Sequence, residues 1–140
     1  MPGTLNLEGV FAASPDPVRG EPFQISGHAA ANKFIYVNGR SVIIRDLDDP
    51  LQCQVYTEHQ YKCTVARMSP NGEWVASGDC EGNVRVWGAK GEFPLKQELK
   101  ALSAPIHDVA WSFDNQRIVC AGEGRGTLMK AFPRDSSSNL

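Results

Sequence analysis

The stretch Cys63–Trp87, CTVARMSPNGEWVASGDCEGNVRVW, decides the reading of this chain. Apolar and polar residues alternate through TVARM, WVAS and NVRVW, and Pro70-Asn71-Gly72 and Asp79 to Gly82 stand between these runs. Short alternating runs bounded by turn residues are the signature of half-buried β-strands. The pattern recurs on both sides. Ile106 to Ala121 (IHDVAWSFDNQRIVCA) repeats its first half, and Phe34 to Asp46 (FIYVNGRSVIIRD) repeats its second half. Arg45 falls on Trp87 at a step of 42, and Met68-Ser69-Pro70-Asn71-Gly72 falls on Trp111-Ser112-Phe113-Asp114-Asn115 at a step of 43. A period of roughly forty residues marks a stacked or radial array of small sheets.

Each unit is expected to be a blade of four antiparallel strands. In the second unit, Thr64 to Met68 is the innermost strand, followed by Trp74 to Ser77, Asn83 to Trp87 and, outermost, Leu95 to Leu99. In the first unit, Phe23 to Ser26 serves as the inner strand. Phe34 to Val37 and Ser41 to Arg45 follow it, joined through Asn38-Gly39, a dipeptide suited to a tight hairpin. The organisation over 1–140 is then a spare strand near 9–13, a blade at about 23–56, a second at about 63–99, and an incomplete third at about 106–135. Blades have two apolar faces, so propellers close into rings of roughly 4 to 8. About three blades read as part of a longer ring, with Gly9 to Ala13 as its closing strand. Completion by association, or end faces left sticky, are the other ways to satisfy such a stack.

Composition excludes several functions. A hydrophobic share of 41% is adequate for a core, but a net charge of −2 gives no basic stripe for nucleic acid. Lys90 to Lys100 carries Glu92 and Glu98 among its lysines and reads as a solvated connection. No run of 18 apolar residues is present, and the start MPGTLNLEGV has neither a basic region nor an apolar run. A secreted or membrane-spanning chain is therefore not expected. Cys53, Cys63, Cys80 and Cys120 form no C-x-x-C pair, which suits reduced structural thiols. His28 and His107 lack companions at metal-ligand spacing, and neither a phosphate-binding glycine loop nor G-x-S-x-G occurs. Gly122-Glu123-Gly124-Arg125-Gly126 alternates charge through a turn and does not open a helix. The expectation is no enzyme, no cofactor, no metal and no small-molecule substrate.

The pattern resembles the WD-repeat family: Glu58-His59 stands where a Gly-His pair usually sits, and Val84-Arg85-Val86-Trp87 matches the strand ending in Trp-Asp, with Gly88 in place of Asp. The resemblance implies an all-β fold, here a partial WD-repeat β-propeller. It also implies a hydrogen-bonded chain in the second blade through His59, Ser77, Glu81 and Trp87, with Glu81 replacing the usual Asp. In the first unit Arg45 takes the Trp position, and in the third Arg134 is expected there. Further matches are FAASPDPVRG, YVNGRSVIIRDLDDPLQ, VYTEH, TVARMSPNGEWVASGD, WSFDNQRIV and GEGRG, from about Phe11 to Gly126. Through them the chain is similar to the branch of that family whose members, in a form most like the plant ones, act on actin filaments together with cofilin.

Members of that branch carry two seven-bladed propellers, which makes this chain the first blades of one. The resemblance implies actin filaments and cofilin as partners, promotion of severing and disassembly, and a place in the cytoplasm on the cytoskeleton. Alternating strand direction puts Asn38 to Arg40, Glu58 to Lys62, Asp79 to Glu81 and Glu123 to Arg125 on one rim. Asp46, Asp48, Asp49, Glu73 and Asp114 fall on the other. Charged turns held by rigid sheets are where such a fold presents contacts, so Asp79, Glu81, Glu123 and Arg125 are the candidate protein-binding residues. The alternatives are a general WD-repeat scaffold that binds peptides, and an inactive truncated piece.

Overall fold

The structure, a computed structural model, describes residues 13–15, 19–20, 24–124 and 126–135. Every regular element among them is a strand, and the strands fall into three antiparallel sheets. The first contains β1 (Ser26–His28), β2 (Lys33–Asn38), β3 (Ser41–Asp46) and β4 (Cys53–Tyr56), in that spatial order. The second contains β5 (Cys63–Met68), β6 (Trp74–Asp79), β7 (Asn83–Gly88) and β8 (Leu95–Lys100). The third has three described strands, β9 (Ile106–Trp111), β10 (Arg117–Gly122) and β11 (Met129–Pro133). An all-β chain of three successive antiparallel sheets, arranged like blades, is the result.

Turn chemistry explains the hairpins. Gly39 and Gly82 sit at φ 56° and 90°, where a Cβ is strained. In the turn after β5 the left-handed position is Gly72 at φ 75°; the matching turn after β9 puts Asn115 there at φ 63°. Asn is the residue that tolerates this conformation best after glycine. Two strands fall differently from the sequence expectation. The inner strand of the first sheet starts at Ser26, so Gln24 and Ile25 of the expected 23–26 run stand outside it. The strand expected near 9–13 lies, apart from Ala13, outside the described residues.

The sheets pack face to face through two separate cores. Between the first and second sheets lie Ile35, Val42, Ile44, Tyr56, Cys63, Ala66, Val75, Trp87 and Ala89. Between the second and third lie Val65, Ala76, Val84, Val86, Leu102, Ile106, Val109, Ile118, Cys120 and Phe132. Period-2 alternation produces this division, because neighbours such as Val75 and Ala76 point to opposite faces and both are fully buried. The inner strands sit side by side. Thr64 Oγ1 donates to the Ile106 carbonyl at 2.5 Å, and Arg67 joins its neighbours on both sides, reaching Asp108 at 3.0 Å and the Gln24 side chain at 2.5 Å.

The outer faces differ. On the first sheet Tyr36 and Ile43 are both 2% exposed, and Tyr36 Oη donates to the Ala13 carbonyl. On the third sheet Val119 and Met129 are 36% and 63% exposed.

Candidate functional site

One rim is built from hairpin turns sewn to the connections between sheets. The Cys63 amide donates to Gly39 O at 2.8 Å, Cys80 N to Lys62 O at 2.9 Å, Ala101 N to Gly82 O at 2.9 Å, and Glu123 N to Pro105 O at 3.2 Å. The turns are rigid as a result. A Cβ at Gly82 would stand 2.1 Å from Leu102 O, and one at Gly122 would stand 2.1 Å from Pro105 O, so these backbones meet only through glycine.

Beneath this rim is a buried polar chain. His59 comes from the β4–β5 connection, Ser77 from β6 and Trp87 from β7. Ser77 Oγ lies 2.5 Å from His59 Nε2 and 3.0 Å from Trp87 Nε1. Indole N–H can only donate, so the serine oxygen accepts from Trp87. The facing Asp79 carboxylate favours the His59 tautomer in which Nε2 accepts the serine proton and the ring N–H is Nδ1. That nitrogen is buried with no hydrogen-bond partner among the described residues, and it faces Asp79 Oδ2 at 3.9 Å, too far for a hydrogen bond.

The acid in this arrangement is Asp79 and not the expected Glu81. Asp79 lies two residues after Ser77 on the same strand, so both side chains face the first sheet, and both are buried. Glu81 belongs to the turn and is exposed. Asp79 is also lost as a contact residue. It is 2% exposed, and its Oδ1 accepts from the amides of Glu81 and Asn83, each at 2.9 Å. Burial by itself would raise its carboxyl, but the facing His59 imidazole and the donors from Asn83 and Glu81 outweigh that and hold it below the usual range. Next to it, burial and the Asp79 charge push the Cys63 thiol up to about 12, which keeps it an unreactive thiol.

The third sheet replaces this chain with apolar groups. Phe132, paired with Ile118, stands where Trp87, paired with Val75, stands in the second. Arg134, expected in that place, lies beyond β11 with its guanidinium 5.3 Å from the Trp74 ring centre. The loop 123–128 is longer than the corresponding loop 80–82 and carries the position from 130, given by the step of 43, to 132, two residues short of Arg134. In the first sheet Arg45 does take the place, and its guanidinium reaches Tyr36 Oη at 3.4 Å.

Of the remaining candidates, Glu123 is exposed and pairs with His107 Nε2 at 2.8 Å, whereas Arg125 lies outside the described residues. The opposite rim spends its acids internally. Asp46 accepts from the amides of Asp48 and Asp49, and Asp114 from Ser112 Oγ and the Gln116 amide, which holds both carboxyls below the ordinary value.

What sequence reasoning missed is a polar cavity of about 230 Å³ that opens on the first rim. Its lining includes His59, Gln60, Tyr61, Asp79, Arg85 and Lys100. Arg85 is neutralised by Glu98 at 2.7 Å and donates to Tyr56 Oη at 2.8 Å. No group of three or more His, Cys, Asp or Glu able to hold a metal ion occurs among the described residues.

Residues 51–88 match the WD domain, G-beta repeat family. Actin-interacting protein 1-2 of Arabidopsis thaliana is 47% identical over 137 residues, 97% of this chain and 22% of that protein. The 66 kDa stress protein of Physarum polycephalum is 42% identical over 96% of the chain and 22% of its own length. Actin-interacting protein 1 of Drosophila melanogaster is 38% identical over 100% of the chain and 23% of its own length. The chain therefore spans about a fifth of the curated relatives it matches.

Proposed function

From a chain of WD repeats that is similar over almost its whole length to actin-interacting proteins, we propose that the protein to which these blades belong binds actin filaments. We further propose that it acts with cofilin to sever and disassemble them in the cytoplasm, on the cytoskeleton, without bond chemistry of its own. The observation that carries this reading is the 47% identity across 97% of the chain to a protein named for its interaction with actin. The physical route is differential affinity: a protein that binds the cofilin-loaded filament more tightly than the bare one shifts the population toward the form that breaks.

The rim that carries Glu81 and Glu123 is the proposed contact surface, since its charged turns are exposed and pinned by backbone hydrogen bonds. Co-sedimentation tests the reading. The chain, or a longer protein containing it, should pellet with cofilin-decorated filaments and remain in the supernatant with bare ones. Equal partition in the two samples would contradict the cofilin-dependent part, and no pelleting in either would contradict actin binding itself. Charge reversal by Glu123→Lys should reduce pelleting of a folded protein; an unchanged pellet would remove Glu123 from the surface.

A further inference from the structure

We propose that the outer edge of the first sheet is a docking site for an extended, uncharged segment of a partner protein, which adds a strand to β4 and lays an aliphatic side chain in the hollow beside it. β4 is the last strand of its sheet, and no strand pairs with its outer side among the described residues. Its register with β3 settles which backbone groups face that side. Asp46 N donates to Gln52 O at 3.3 Å, and the pairs Ile44 with Gln54 and Val42 with Tyr56 continue the same alternation, so the backbones of Gln52, Gln54 and Tyr56 point inward. Cys53 and Val55 lie between them and turn their N–H and C=O groups outward.

Edge strands are ordinarily protected by charge, and the second sheet follows that rule. Its outermost strand, β8, carries Lys96, Glu98 and Lys100. β4 does not: residues 51–57 (LQCQVYT) contain no charged group, and Leu51 and Val55 are 46% and 44% exposed. Beside this edge is a hollow of about 490 Å³ lined by Lys33, Ile44, Leu51, Gln52, Cys53 and Gln54. A residue paired with Gln54 from outside sends its side chain to the face that Gln54 shares with Ile44, which is the face of the hollow. Lys33, the cation in the lining, is met by Asp46 at 3.6 Å, so a charged side chain gains nothing there, and Ile44 and Leu51 favour an aliphatic one. A second copy of the chain fits less well, because β4 paired antiparallel with itself, Cys53 against Val55, sets Gln54 against Gln54 at the hollow.

The test uses the whole chain and three blocked heptapeptides: threonines with a central leucine, threonines with a central glutamate, and the leucine peptide N-methylated at the two threonines that flank the leucine. Amide hydrogen exchange, followed by nuclear magnetic resonance, gives the readout. The leucine peptide should slow exchange of the Cys53 and Val55 amides in a saturable way and leave the amides of Gln54 and Tyr56, which already face β3, unchanged. The glutamate peptide should bind at least about tenfold more weakly, a difference of about 1.4 kcal/mol, and the N-methylated peptide, without the donors that face β4, should give no protection. No protection by the leucine peptide at about 1 mM, or equal protection by either control, would overturn the assignment. Protection without peptide that grows with protein concentration would overturn it in favour of a second copy. These probes require no actin, so failure here leaves the filament reading to its own experiment.

Discussion

The two joints between sheets are made from the same repeat and hold in different ways. Between the first and second sheets the Tyr56 and Trp87 rings stack at 3.9 Å and 5° from parallel, Phe93 meets Trp87 edge-on at 5.2 Å, and Ser77 ties the indole to His59. Between the second and third sheets the contact is made of aliphatic side chains, with Cys120 at the strand position of Ser77 and Phe132 at that of Trp87. Apolar area is non-directional, so the core of the second joint is held by burial, and its hydrogen bonds, such as Thr64 Oγ1 to Ile106 O and Arg67 to Asp108, lie along the inner strands. The first joint adds a directed chain of donors and acceptors, which costs desolvation and returns a single register. The repeat specifies two apolar faces per sheet; what is placed between them is free to vary.

The sharpest way to break the comparison is to truncate the matched aromatic residues. Trp87→Ala should cost about 3–5 kcal/mol by denaturant unfolding, from a large buried ring and an orphaned Ser77–His59 pair. Phe132→Ala, at a position 6% exposed and free of polar partners, should fall at or below the lower end of that range. Equal losses would mean that the hydrogen-bond chain adds nothing to the first joint.

Gly82→Ala comes next, at about 3 kcal/mol, from a φ of 90° and a Cβ driven into Leu102 O. Gly39→Ala has a similar φ but open space around it and should cost about 1 kcal/mol. The difference between them isolates the close approach of turn and connection. Ser77→Ala should destabilise by about 1–3 kcal/mol by leaving Trp87 N–H and His59 unpaired, with little loss of volume. Its mirror, Cys120→Ser, should cost a similar amount for the opposite reason, a hydroxyl placed among aliphatic groups.

A smaller effect is the pH dependence at Asp79. Its carboxyl is depressed in the folded state, so its contribution is fully present above the unfolded value of about 3.9 and is lost as pH falls through the folded value. Asp79→Asn should flatten the acid limb of stability against pH below about 4 and leave the slope near neutrality unchanged. An unaltered acid limb would show that Asp79 carries no such linkage.

Much of this fold could be read before the coordinates, and the failures have physical causes. Alternation and turn residues located the strands of the second unit, and Asn38-Gly39 marked a hairpin whose glycine indeed has positive φ. Arg134 was expected at the Trp87 position of the third unit, but the strand pairing puts Phe132 there: the step of 43 leads to 130, and the longer loop 123–128 carries the position two residues further. The choice of Glu81 followed family spacing, whereas strand alternation from Ser77 leads directly to Asp79. Arg67, which binds Asp108 on one side and Gln24 and Ser26 on the other, carried no signal at all, since these partners lie far away in sequence. The rim cavity was invisible for the same reason: the connection, the turn and two strands each contribute a part of it.

The account rests most heavily on the direction of the hydrogen bonds at Ser77, and long-range ¹H–¹⁵N correlation of the His59 ring measures it. A proton on Nδ1, with Nε2 carrying the shift of a hydrogen-bond acceptor, is the predicted result. A proton on Nε2 would make Ser77 an acceptor from both Trp87 and His59 and contradict the account of the first joint.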